Sequence, residues 1–140
     1  MSYALRMEGG TLKIEFSGTF TNQDLSRGVI DVEELEESSA LPLHRIADLG
    51  PVERLEIDFA GVLTLAEARR WRRFKSPFKT AIIAPDIAHY GFARMYQTLN
   101  DHPQMAIAIF GEEEEAVDWL RLPDLNPPKS PWKPRQRNAP

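Results

Sequence analysis

Short apolar runs of strand type alternate with longer segments of helical periodicity as far as residue 122, and this alternation constrains the fold more than any other feature of the chain. A chain so patterned satisfies its backbone in a mostly parallel sheet and buries that sheet under helices. The first two runs, 3–8 and 11–17, flank Gly9-Gly10, and in the second Leu12, Ile14 and Phe16 alternate with Lys13, Glu15 and Ser17. Gly-Gly between such runs signals a tight hairpin, so the opening pair is antiparallel.

The helices and later strands follow from their caps and periods. Thr21 caps a helix running to about Glu37, with Asp24 at its third position and Leu25, Val29, Val32 and Leu35 on one buried face. Gly28 weakens that helix locally. Arg45 to Leu49 reads as a short strand stopped by Gly50-Pro51, and Leu55, Ile57 and Phe59 form a further extended segment. Thr64 with Glu67 makes a Thr-x-x-Glu capping box, which opens a helix to about Phe74. Lys79 to Ala84 is an apolar strand, and Pro85-Asp86 ends it and caps a third helix through about Asn100. Met105 to Phe110 is apolar throughout, which predicts a central strand covered on both faces. Gly111 and Glu112 to Glu115 open the last helix, whose apolar face is Ala116, Trp119 and Leu120.

The expected architecture is therefore α/β: one domain over residues 1–122, with a mixed, mostly parallel sheet of about five strands, an N-terminal antiparallel hairpin and a cover of amphipathic helices. Beyond Leu122 the periodicity stops. Six of the eleven prolines fall in residues 123–140, and such a basic, proline-rich tail has little apolar surface to bury, so a disordered or extended course is expected.

Charge and composition exclude several functions. The formal net charge is −4, yet residues 1–120 hold 20 acidic and 12 basic side chains, while residues 121–140 hold one Asp and five Lys or Arg. An acidic body lacks the clustered positive charge that phosphate contacts require, so no nucleic-acid partner is expected. The chain has no cysteine, which removes disulfides, thiolate nucleophiles and cysteine-ligated metals and fits a cytoplasmic protein. Neither a secretory signal pattern nor an apolar run of about 18 residues is seen, so no membrane span is expected.

Catalytic patterns are missing as well. His44, His89 and His102 show no one-turn pairing for a shared metal, and neither a Gly-x-Ser-x-Gly elbow nor a phosphate-cradling Gly-Lys loop is present. No metal and no cofactor are expected, and the chain reads as a binding domain rather than an enzyme. The segment from Asp86 to Tyr96 is the place for a ligand, because α/β sheets bind at the carboxyl ends of their strands. Asp86, His89, Tyr90 and Arg94 would line that edge, with Arg94 facing an acidic group. The competing reading has Asp86 simply capping the helix while Ile87, Tyr90, Met95 and Leu99 pack on the sheet. Arg69, Arg70, Arg72 and Arg73 gather on one side at about 100 degrees per residue, opposite Leu65, Ala68, Trp71 and Phe74. That is the layout of a solvated outer face. Thr21 and Thr64 sit at helix starts, where a phosphate would gain from backbone donors, although capping is the commoner use. In the tail, Pro128-Lys-Ser-Pro131 and Pro131-Trp-Lys-Pro134 have the spacing of polyproline ligands.

Taken in order, these pieces resemble the SpoIIAA-like group of STAS-type domains, also described as STAS/SEC14-like. The resemblance spans residues 3–120. It rests on Leu12 to Ser17 followed by Gly18-Thr-Phe-Thr21, the strand ending Asp48-Leu49, Thr80-Ala-Ile-Ile-Ala-Pro-Asp86 with Gly91-Phe-Ala-Arg-Met-Tyr96, and the closing Glu115-Ala-Val-Asp-Trp-Leu120. It implies a non-enzymatic bacterial module that engages a protein partner or a small apolar or nucleotide-like ligand; a homodimer is a separate expectation. Anti-sigma antagonists of the wider fold carry a phosphorylatable serine at a helix start. Here Leu63-Thr64-Leu65 lacks that serine and its glycine, leaving Thr64 as the substitute phosphoacceptor. The expected binding residues are thus Thr64, Asp86, His89, Tyr90 and Arg94. The rival expectation is a small enzyme in which His89 works with Asp86 or Asp48 as an acid/base pair, and a third reading makes the tail the working part.

Overall fold

A computed structural model describes residues 3–39 and 43–135; the last five residues of the predicted tail, 136–140, lie outside it. Strands β1 (Tyr3–Glu8) and β2 (Thr11–Phe16) form the expected hairpin. Its two-residue turn needs positive φ at both positions, and Gly9 and Gly10 supply φ of 55° and 83°. Next come β3 (Gly18–Thr21), α1 (Asn22–Glu37), β4 (Arg45–Asp48), β5 (Val52–Glu56), α2 (Phe59–Arg69), β6 (Phe78–Ile83), α3 (Ile87–Leu99), β7 (Met105–Phe110) and α4 (Glu113–Arg121). The main sheet has the order β1-β2-β4-β6-β7, antiparallel in its first pair and parallel in the rest. The expected fold class is therefore found. Two short strands, β3 and β5, pair in parallel as a separate ribbon, which brings Phe20 into the core.

The period of two along the strands divides the interior. Leu12, Ile14 and Phe16 of β2 and Ile82 of β6 face a core closed by Leu25 and Val32 of α1, Val62 of α2, and Phe92, Ala93 and Tyr96 of α3. The opposite face presents Ile46, Ala81, Ile83, Ala108 and Phe110 to α4 through Ala116, Trp119 and Leu120. A single nine-residue helix covers that second face, and two lysines complete it. Lys13 reaches Glu113 with its Nζ at 2.5 Å, and Lys79 donates to the carbonyls of Trp119 and Leu122 at 2.8 and 2.7 Å. Each lysine packs its aliphatic stem against the sheet while its ammonium meets an end of α4, a carboxylate at the start and carbonyls at the finish.

Four sequence expectations are corrected. Met105–Phe110 is an edge strand, not a central one; its apolar character reflects cover by helices on both faces, and β6, every residue of which is buried, holds the inside position. Helix α2 starts at Phe59, not at Thr64, because Asp58 caps it by accepting from the Gly61 amide at 2.8 Å. Thr64 lies inside that helix and turns its hydroxyl to the Ala60 carbonyl at 2.9 Å, the usual mid-helix use of a threonine side chain. The helix also ends at Arg69, so the 100-degree projection fails beyond it. Arg69, expected in solvent, is 6% exposed, and Trp71, expected on the apolar face, is 85% exposed. Finally, Ile87 and Leu35 were expected to pack inward but stand exposed, and Gly28 and Glu36 take the buried positions on α1. The Thr21 cap matches its expectation, with the hydroxyl accepting from the Asp24 amide and the Asp24 carboxylate accepting from the Thr21 amide.

Candidate functional site

The strand-to-helix edge is built from the end of β6. Ala84 is fully buried and its amide donates to the Phe110 carbonyl at 2.7 Å, which locks the ends of β6 and β7 side by side. Proline at position 85 cannot continue the ladder, and Asp86 in extended conformation then caps α3 by accepting from the His89 amide at 3.0 Å. His89 follows in the first turn with its ring buried. Its Nε2 donates to the Val52 carbonyl at 2.9 Å, which fixes the proton on Nε2 and ties α3 to β5. Nδ1 stands 3.2 Å from Asp86 Oδ1 without a hydrogen bond to it.

Asp86, His89 and Tyr90 are thus brought together in one turn, but Thr64 and Arg94 are not. Thr64 is on a different helix, and Arg94 lies a turn further along α3 with its guanidinium on Gln97 at 2.6 Å. Asp48, the other partner considered for His89, accepts instead from the Gly50 amide at 2.8 Å. His44 and His102 are also committed to the backbone: His44 Nδ1 accepts from the Lys79 amide at 3.0 Å, and His102 Nε2 donates to the Arg72 carbonyl at 2.7 Å. Burial, helped by the nearby Lys79 ammonium, holds His44 below the ordinary imidazole value. Among the described residues no group of three or more His, Asp or Glu side chains is placed to hold a metal ion. No described helix is long and apolar enough to cross a membrane.

What the sequence did not indicate is the occupant of this edge. Residues 123–135 form no helix or strand, and their course leads back across the carboxyl ends of β6 and β7. The Trp132 indole stacks on Tyr90 with ring centroids 4.3 Å apart and planes 26° apart, and its Nε1 donates to the Ala84 carbonyl at 2.9 Å. The Arg135 amide donates to the Pro85 carbonyl at 2.7 Å, and its Nε lies 3.3 Å from Glu112 Oε2. Lys133, Pro134 and Arg135 pass so close over Gly111 that a Cβ built there would collide with the Lys133 carbonyl oxygen. The available signal was one large aromatic, Trp132, between two prolines in an otherwise polar tail.

Two further concavities bear on ligand binding. Under the tail, between Phe110, Trp119 and Pro128 to Lys133, lies a hollow of about 330 Å³. Between the sheet and α1 and α3 is a cavity of about 50 Å³, apolar except at one end, where Arg45 and Thr80 enter its wall. There the Arg45 Nε and Thr80 Oγ1 are buried without a hydrogen-bond partner, although the Arg45 Nη2 is held by Glu36 and its guanidinium lies 4.2 Å over the Phe78 ring.

Comparison with known proteins shows the fold alone. No family model matches the chain, and no curated protein sequence does. Among solved structures, the chain is similar to an uncharacterized protein of the DUF3478 family with a SpoIIAA-like fold from Shewanella loihica PV-4. The superposition has a TM-score of 0.54 at 17% sequence identity and covers 84% of this chain and 91% of that one.

Proposed function

We propose that this chain, an α/β domain of SpoIIAA-like fold, is a cytoplasmic, non-enzymatic binding or regulatory module that engages a protein partner at the edge formed by Ala84 to Tyr90. The observation that carries the reading is the pair of carbonyls, Ala84 and Pro85, presented beside an aromatic face and used by an extended segment. Main-chain acceptors at a sheet end combined with an aromatic platform are a recurring way to hold extended peptides. Against a proton-transfer role, the His89 Nε2 is occupied by Val52 and the Asp86 carboxylate by the helix cap. Asp86, His89 and Tyr90 belong to this edge. Arg94 borders it on α3, and Thr64 is left as a phosphoacceptor only.

A photo-crosslinking residue placed at Arg94 and, as control, at Arg6 on the far hairpin tests the reading in cells. A discrete protein adduct from position 94 and none from position 6 is the expected outcome. Equal labelling from both positions would sink it.

A second reading, a small apolar or nucleotide-like ligand, is favoured by one observation: the unpartnered Arg45 Nε and Thr80 Oγ1 in the wall of the core cavity. Buried polar atoms ordinarily have partners, so a small molecule with one polar end would satisfy both. Its volume accommodates water-sized groups rather than a whole nucleotide, so this ligand requires α1 or α3 to move outward.

A further inference from the structure

The tail seated on the edge identifies what the edge recognises. We propose that residues 131–135 act as a built-in occupant of a peptide site, and that the partner presents the same chemistry. That chemistry is a tryptophan in an extended, proline-flanked segment, followed three positions later by a basic residue. The inference rests on the edge reading above and names the partner's class.

Each contact of the tail selects one feature. The Ala84 carbonyl accepts from a side-chain donor and the Tyr90 ring offers a flat face beside it, and indole supplies both the donor and the stacking plane in one side chain. The Pro85 carbonyl accepts a backbone amide three residues on, which sets the spacing and requires a residue other than proline there. Gly111 leaves room for the backbone of residues 133–135 where a Cβ would collide with the Lys133 carbonyl oxygen, and Pro131 and Pro134 favour an extended course there in advance. Glu112 beside the same point selects a cation. The hold is shallow. Every tail residue from 123 to 135 is exposed except Pro128 and Trp132, which are half-buried, and the hollow of about 330 Å³ lies beneath the stretch leading to the tryptophan. A segment fastened by one half-buried stacked ring, two hydrogen bonds and one exposed ion pair, with open space behind part of it, is a strap that a better peptide can displace.

The tether decides how the site behaves. A segment attached to its own site is present there at an effective concentration in the millimolar range, so it masks the site from a free peptide of similar affinity. The test uses the full chain and a fluorescein-labelled peptide with the sequence of residues 128–135, Pro-Lys-Ser-Pro-Trp-Lys-Pro-Arg, read by anisotropy. The Trp132→Ala chain, its strap loosened, is expected to bind at least about tenfold tighter than the unaltered chain. Adding Gly111→Ala fills the space that the peptide backbone needs and is expected to weaken binding at least about tenfold. Tyr90→Leu is the second variant, removing the stacked ring without touching the backbone, and should have the same effect. If the Trp132→Ala chain binds no better than the unaltered one, or binds equally well after either second substitution, the proposal fails. No peptide binding alongside a specific Arg94 adduct overturns this occupant while leaving the edge a docking site. Loss of both removes the edge itself.

Discussion

Arg69 donates to the hydroxyl of Tyr96 at 2.9 Å across the α2–α3 interface, and the same guanidinium reaches Glu33 of α1 at 3.0 Å and Asn100 at 3.3 Å. One side chain at the end of α2 therefore joins the three helices that cover the larger core. Replacing it leaves the nearly buried Glu33 carboxylate with only the partly exposed Arg72, at 3.1 Å. Arg69→Met should destabilise the fold by about 3 kcal/mol, the lower end for breaking a buried pair. Arg70→Ala, one residue on in solvent, should change stability by less than about 0.5 kcal/mol. Urea denaturation of both variants decides it; equal midpoints would show that the network contributes nothing.

Thr80 offers a cleaner test of the core cavity. Its hydroxyl is buried without a partner, and valine has the same shape and suits a strand. With the cavity empty, Thr80→Val should stabilise the protein by about 1 kcal/mol, since an unsatisfied buried hydroxyl is removed. A lowered midpoint would instead mean that something in the cavity uses that hydroxyl, which is what the small-ligand reading requires.

His44 gives the fold a dependence on pH. Its imidazole is held below its ordinary value near 6.5, by burial first and by Lys79 second, and its Nδ1 accepts from the Lys79 amide. The unfolded chain therefore binds this proton more readily than the folded one. Stability is intact above about 6.5 and is lost as pH falls through the depressed folded value. His44→Asn keeps an acceptor for the amide and cannot titrate. The variant should lose less stability than the unaltered chain between about pH 7 and pH 5, measured by chemical denaturation at each pH. Identical slopes would exclude His44 as the source.

Lys79 fastens the end of α4 through two carbonyls. Lys79→Met keeps the aliphatic stem and removes the donors, and should cost about 1 kcal/mol, because the Leu122 carbonyl can turn to water while that of Trp119 is less free to. Amide exchange around residues 119–126 should quicken in this variant, and unchanged exchange there would count against the anchor.

The sheet was legible because its signals are local. Gly9-Gly10, the alternation along β2 and the apolar run of β6 each state their own structure within six residues or so. Strand order was less so: Met105–Phe110 reads as central because helices on both faces give an edge strand the composition of an inner one. Thr64 misled for a related reason. The helix starts instead at the Asp58 cap, where the Asn22 amide donates to the same carboxylate at 3.1 Å from 36 residues away, a contact that no local pattern reports. The site was half legible. Asp86 announces a cap and a strand end and Tyr90 is expected at the same edge, but the two carbonyls and the glycine that complete the seat for Trp132 carry no side-chain signature.

The grip of Lys79 on the Leu122 carbonyl sets how far the C-terminal arm can travel once it lets go. Ten residues separate Leu122 from Trp132, so with the hydrogen bond from the Trp119 indole to the Asn126 carbonyl also released, a freed indole sweeps a radius of at most about 35 Å around that pivot. A molecule that took its berth would meet a cationic, aromatic arm tethered within that radius.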